Sequence, residues 1–189
     1  MKKSLLALVM ASTLPFAASA AENLSYNYVE GDYIKTNSRA GDTDGWGGKV
    51  SYGVLPNLHV FGDYSKTDVA GSAQTIDQWQ LGAGYNVEIA PTTDFVARAA
   101  YNRYDTGGFD LSGYSVEAGI RTAFGEHAEV YAMAGYRDYA KTRGFDPEGQ
   151  WYGRLGAQVK LNQHWGINGD VRMNRYGAAE MTVGPRFSW

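Results

Sequence analysis

The final ten residues, Glu180 to Trp189 (EMTVGPRFSW), alternate without a break. Met181, Val183, Pro185, Phe187 and Trp189 are apolar. Glu180, Thr182, Gly184, Arg186 and Ser188 are polar or small. A two-residue period belongs to a strand with one apolar face. What the chain can fold into then depends on whether this period recurs upstream.

It recurs nine times. The spacing predicts strands over Leu24 to Lys35, Trp46 to Val54, Leu58 to Lys66, Gln78 to Val87 and Asp94 to Tyr104. Further strands are predicted over Ser112 to Thr122, Ala128 to Tyr139, Gln150 to Leu161 and Trp165 to Arg175. Between them, longer polar connections (37–45, 67–77, 105–111, 140–149) alternate with tight turns around Pro56, Pro91, Gly125 and Asn162. The last hairpin, Tyr176 to Ala178, is short. The first strand is the least regular. Tyr26, Tyr28, Glu30, Asp32 and Ile34 share one parity, and Glu30 and Asp32 are placed inward because a charge facing lipid is costly.

The expected fold is all-β: a single antiparallel transmembrane β-barrel of ten strands, with eight as the alternative count. Ten residues tilted by about 40° span roughly 25 Å, the height of a barrel's apolar band. Composition agrees, with 24 Gly and 14 Tyr and no Cys in 189 residues. The missing Cys excludes a disulfide framework and a thiolate metal site. A net charge of −3 and a pI near 5.6 argue against a nucleic-acid partner. The mean hydropathy of −0.38 is too low for a helical membrane protein, but barrels escape that test because only alternate residues face lipid.

Residues 1–20 read as a cleaved signal peptide. Lys2 and Lys3 precede an apolar run from Leu5 to Phe16, and Ala18-Ser19-Ala20 forms an A-x-A site, so cleavage is expected after Ala20. The barrel domain is then 21–189.

Alternation alone leaves open a soluble barrel with its faces exchanged. Two features favour lipid. Aromatic residues on the apolar parity gather near strand ends, giving girdles of Trp46, Tyr52, Trp79, Tyr85, Phe95, Tyr101, Trp151, Trp165, Phe187 and Trp189. The other parity carries both signs of charge: Glu30, Asp32, Lys49, Asp63, Arg98, Glu117, Arg121, Arg137, Arg154, Asp170, Arg172, Glu180 and Arg186. Lys160 shares that face. Such charges persist inside a narrow barrel only when paired, so a filled polar lumen is expected.

No catalytic, cofactor-binding or metal-ligating residues are assigned. His59, His127 and His164 all fall at the short-turn end and read as polar turn residues, so a barrel enzyme with a His base at its outer rim is disfavoured. Asp42-Thr43-Asp44-Gly45 begins like a calcium loop, but its twelfth position is Gly53, where a Glu is required. Gly82-Ala83-Gly84 lacks the third glycine of a dinucleotide fingerprint. Lys141, Arg143, Phe145 and Asp146 give the most varied loop, whose bases suit lipopolysaccharide phosphates.

The opening LSYNYVEGDY after PFAASA, and the closing VGPRFSW, resemble the small xanthomonad outer-membrane barrels, and more distantly the OmpA/OmpX/adhesin barrels. The residue pattern itself leads to an outer-membrane location and a surface role in envelope integrity, adhesion or signalling; the resemblance implies quorum-sensing-type signalling, biofilm formation and virulence. It supplies no catalytic or ligand residues. The implied partners are outer-membrane lipid, lipopolysaccharide, the barrel-assembly machinery through the C-terminal strand, and a host or cell-surface ligand; a monomer is expected. A narrow small-solute porin is the alternative function.

Overall fold

The structure, a computed structural model, describes residues 21–39, 41–140 and 147–189. The expected signal peptide and the loop residues Lys141, Arg143, Phe145 and Asp146 lie outside the described residues.

Ten strands form a closed antiparallel barrel: β1 (Tyr28–Asn37), β2 (Thr43–Leu55), β3 (Leu58–Val69), β4 (Thr75–Ala90), β5 (Thr93–Asp105), β6 (Asp110–Phe124), β7 (Ala128–Tyr139), β8 (Gln150–Lys160), β9 (Trp165–Asn174) and β10 (Ala179–Ser188). Each strand pairs with its sequence neighbours, and β1 closes on β10 with Tyr28 opposite Ser188 and Thr36 opposite Glu180. Closure removes every sheet edge, so no ladder is left to aggregate. Ten strands, not eight, pair.

The seam between β1 and β10 has one irregularity. Pairing runs through Glu30 opposite Arg186 and resumes at Tyr33 opposite Val183. Pro185 lies in the gap, and a proline has no N–H to give the ladder. Beside it the backbones come close: a Cβ on Gly184 would lie 1.7 Å from the Gly31 carbonyl oxygen. The closing strand therefore requires glycine there.

The facing of β1 is settled. Tyr28, Glu30, Asp32 and Ile34 are buried in the lumen, while Val29, Gly31 and Tyr33 face out. The strand reads poorly because two of its apolar residues, Tyr28 and Ile34, point inward among the charges. Its start also differs from the expected Leu24. Residues 21–27 are not in a strand; they fold into the mouth of the barrel at the short-turn end.

Three connections are shorter than expected. The strands extend to leave 38–42, 70–74 and 106–109, because residues such as Thr43, Thr67 and Thr75 continue the ladders. Here the hairpins are polar on both faces, so the alternation that marks a strand in sequence fades while backbone pairing continues. Thr43-Asp44-Gly45 of the calcium-like motif pairs with Thr67, Asp68 and Val69 as ordinary strand. Gly71 and Gly107 take positive φ (75° and 76°) at the tips of these hairpins, where a β-carbon would be strained.

Candidate functional site

The outer face is apolar. Leu81, Leu155, Val159, Ile120, Ile167, Met181 and Val183 are all exposed. In water this would be a continuous sticky surface; it is the face of a barrel whose solvent is lipid. A soluble barrel with its apolar face inward is excluded. All ten residues of the expected girdle lie on this face. Trp46, Trp79, Tyr101 and Trp151 sit towards the long-loop end; Tyr52, Tyr85, Phe95, Trp165, Phe187 and Trp189 sit towards the short turns. They pack in cross-strand pairs, such as Trp79 with Tyr101 at 5.6 Å and Trp165 with Phe187 at 5.1 Å. The long-loop row also holds Tyr33, Tyr64, Tyr114 and Tyr136, which the sequence reading omitted. Tyr64 donates to Asp77 and Tyr114 to Asp138 (3.3 Å), as rings do when the body sits in apolar surroundings and the hydroxyl reaches for water.

Inside, nine of the thirteen expected lumen charges join one continuous network. Arg98 lies 3.5 Å from Glu117, and Arg154 lies 3.9 Å from Glu117 and 2.6 Å from Asp170. Lys49 bridges Asp170 (3.4 Å), Asp32 (3.0 Å) and Glu30 (2.8 Å). Glu30 accepts from Arg186 at 2.6 Å. Arg186 then reaches Glu129 (3.3 Å), which Arg121 holds at 2.6 Å. The remaining four make no ion pair with it; Arg137, Arg172 and Glu180 lie near the long loops, and Asp63 lies midway along β3 opposite Lys49. Arg172 pairs with Glu180 at 3.4 Å, Asp63 accepts from Gln80, and Arg137 lies over the Tyr152 ring.

Three partners were missed by the sequence reading. Glu129 is fully buried and gathers Arg121, Arg186 and, at 3.9 Å, Lys160. It shares the parity of Tyr131 and Met133, one step nearer the turn, and that step was the available signal. Asp94 is also fully buried, at the start of β5. The third is the set of lumen aromatics. Each of the six expected lumen arginines lies over a ring: Arg98 over Phe61, Arg121 over Tyr26, Arg154 over Tyr131, Arg186 over Tyr28, and Arg137 and Arg172 over Tyr152. A guanidinium is planar and weakly hydrated, so a ring face supports it where water is scarce.

These rings fit because glycines face them across the ladder. Gly135 pairs with Tyr152, Gly156 with Tyr131 and Gly82 with Phe61. A Cβ on Gly156 would lie 2.1 Å from Tyr131 Cζ, and one on Gly135 would lie 2.3 Å from Tyr152 Cζ. Each ring packs against bare backbone, which explains why glycine stands at these three positions.

His59 corrects the turn-residue reading. It is fully buried in the lumen, stacked on Tyr26 with ring centroids 4.6 Å apart and packed on Gly84. It pairs with Gly84 as Phe61 pairs with Gly82, so it is a packing ring of the same kind. Among the described residues no cluster of three or more His, Asp or Glu is arranged to hold a metal.

No family model matches this chain, and no curated protein matches it. Solved structures do. The chain is similar to a KdgM porin (11% identity, TM-score 0.48, covering 85% of this chain and 99% of that one). It is similar to Neisserial surface protein A (19%, TM-score 0.42, 86% and 96%) and to the N-terminal β-barrel domain of Pseudomonas aeruginosa OprF (15%, TM-score 0.44, 87% and 100%). The likeness is one of barrel fold.

Proposed function

We propose that this protein is an outer-membrane barrel whose lumen is closed and whose work is done at the surface. The observation that carries the reading is the continuous charge network across the barrel, with residues 21–27 seated in the short-turn mouth. Spaces of about 400 Å³ and about 560 Å³ flank residues 23–27 at the short-turn end, but at the long-loop end the lumen narrows to two cavities that share Arg137, Arg172 and Glu180, of about 120 Å³ and about 50 Å³. A water takes about 30 Å³, so this narrow end suits a few waters and not a solute path. The short turns then face the periplasm and the longer hairpins face outward. On this reading the outer hairpins serve envelope integrity, adhesion and biofilm, or signalling, of which biofilm and signalling are the roles implied by the resemblance to the small xanthomonad barrels. Lipopolysaccharide and a host or cell-surface molecule are the partners such hairpins would meet. The apolar closing strand, ending at Phe187 and Trp189, is the element offered to the barrel-assembly machinery. No catalytic role is proposed.

Planar-bilayer recording tests the closed lumen: no conductance above leak is expected. A steady conductance would support the narrow-porin reading and defeat this one. Membrane fractionation, with unheated and boiled samples on a detergent gel, tests the location. A band that shifts on boiling, in the outer-membrane fraction, is expected.

A further inference from the structure

Residues 21–27 are held on every side. The Glu22 N–H donates to the Pro91 carbonyl at 2.9 Å, Arg121 donates to the Ser25 carbonyl at 2.9 Å, and Lys160 donates to the Asn23 carbonyl. Leu24 and Ala21 pack with Ala123. The Trp189 N–H donates to the Asn27 carbonyl at 3.2 Å, which ties the segment to the end of the closing strand.

At the inner end of this segment is Asp94, fully buried. Its Oδ2 accepts from the Tyr26 hydroxyl at 2.8 Å and the Asn86 amide at 3.5 Å. Burial pushes the Tyr26 hydroxyl up, so it stays a donor. Arg121 is the cross-strand neighbour of Asp94, yet its guanidinium is held by Glu129 at 2.6 Å. None of the described Lys or Arg side chains pairs with Asp94. A carboxylate buried among neutral donors is costly unless a cation reaches it. Its Oδ1 faces one donor, the backbone nitrogen of Ala21, at 2.9 Å; Ala21 is only 2% exposed.

That nitrogen is the atom that cleavage after Ala20 would free. A leader peptidase adds water across the Ala20–Ala21 bond, leaving a carboxylate on Ala20 and an amine on Ala21. The amine takes up a proton at neutral pH, since α-amino groups titrate near 7.7–8.0. We propose that the processed N-terminus is the missing counter-ion: the Ala21 α-ammonium forms a buried salt bridge with Asp94 and locks residues 21–27 into the periplasmic mouth. The inference rests on the reading of an exported chain with a cleaved leader. It goes further, because it makes the position of the cut matter to the folded barrel. One extra residue would carry the charge about 3.8 Å along the chain and leave Asp94 facing a neutral amide.

Four chains test this in phosphatidylcholine vesicles: one beginning at Ala21, one with a glycine ahead of Ala21, and each of these with Asp94→Asn. The extra glycine is expected to lower the urea midpoint of the native sequence and to leave that of D94N unchanged. An equal effect in both, or none in either, overturns the proposal. Should D94N not fold, acylation of the α-amine decides. In the folded barrel beginning at Ala21 it is expected to be at least about tenfold slower than in urea-unfolded chain, and equal rates overturn the salt bridge. N-terminal sequencing of protein from the outer-membrane fraction should begin at Ala21-Glu22-Asn23. A different start in that fraction defeats the salt bridge and leaves the export reading standing. Protein that keeps residues 1–20 and never reaches that fraction defeats both.

Discussion

In the half of the lumen nearer the short turns, the charges of the network are matched several times over. Glu30 meets Lys49 and Arg186, and Glu129 meets Arg121, Arg186 and Lys160. In the half nearer the long loops, the same residue types are matched loosely. Arg172 has Glu180 alone at 3.4 Å, and Arg137 has a ring and no carboxylate among the described residues. Side-chain exposure follows this only in part: Arg186 is 4% exposed and Arg172 is 19%, while Lys160 beside the short turns is 18%. Ion pairing is structural where the lumen is deepest. Deep in the barrel an unmatched charge has no water to turn to, so matching must be complete. Near the outer mouth water can do part of the work, and a single pair or a ring suffices.

The largest expected effect breaks the matched half. Glu129→Ala leaves Arg121 and Arg186 short of an acid in a dry lumen and should cost about 3–5 kcal/mol, read from urea unfolding in vesicles. A loss under about 1 kcal/mol would put water in that half and erase the contrast. Next, Val183→Arg should cost on the order of 2–4 kcal/mol if its outward position lies near mid-lipid; a neutral result in the same assay would say the outer face is not in lipid. Gly156→Ala drives a methyl into Tyr131, whose hydroxyl is held by Asp170 at 2.9 Å. The expected cost is about 1–3 kcal/mol, with loss of near-ultraviolet tyrosine dichroism as a second sign. Smallest is Arg137→Ala in the loose half. It removes a charge on which no described acid depends, and should cost less than about 1 kcal/mol. A cost as large as that of Glu129→Ala would show that both halves are equally dry.

The strand count, the order and the facing of nearly every strand were legible because lipid and a packed lumen impose a two-residue period wherever the wall is immersed. That period stops at the membrane surface, so the extended hairpins beyond Thr43, Thr67 and Thr75 read as loops. The expected lumen charges were legible by parity. Their partition into one network and four looser members was not, since partners such as Lys49 and Asp170 are 121 residues apart. Glu129 was one parity step from inclusion. The lumen tyrosines were placed on the polar face, but parity gives no reason for a ring to be there.

Alternation along the chain dictates a barrel with a lipid face and a charged interior, because the solvent on each side selects residue type at alternate positions. What fills that interior is fixed in three dimensions. Which arginine lies on which ring, which glycine yields space to it, and how residues 21–27 enter the mouth all depend on distances across the barrel. Those distances follow from strand register and closure, and no local pattern along the chain encodes them.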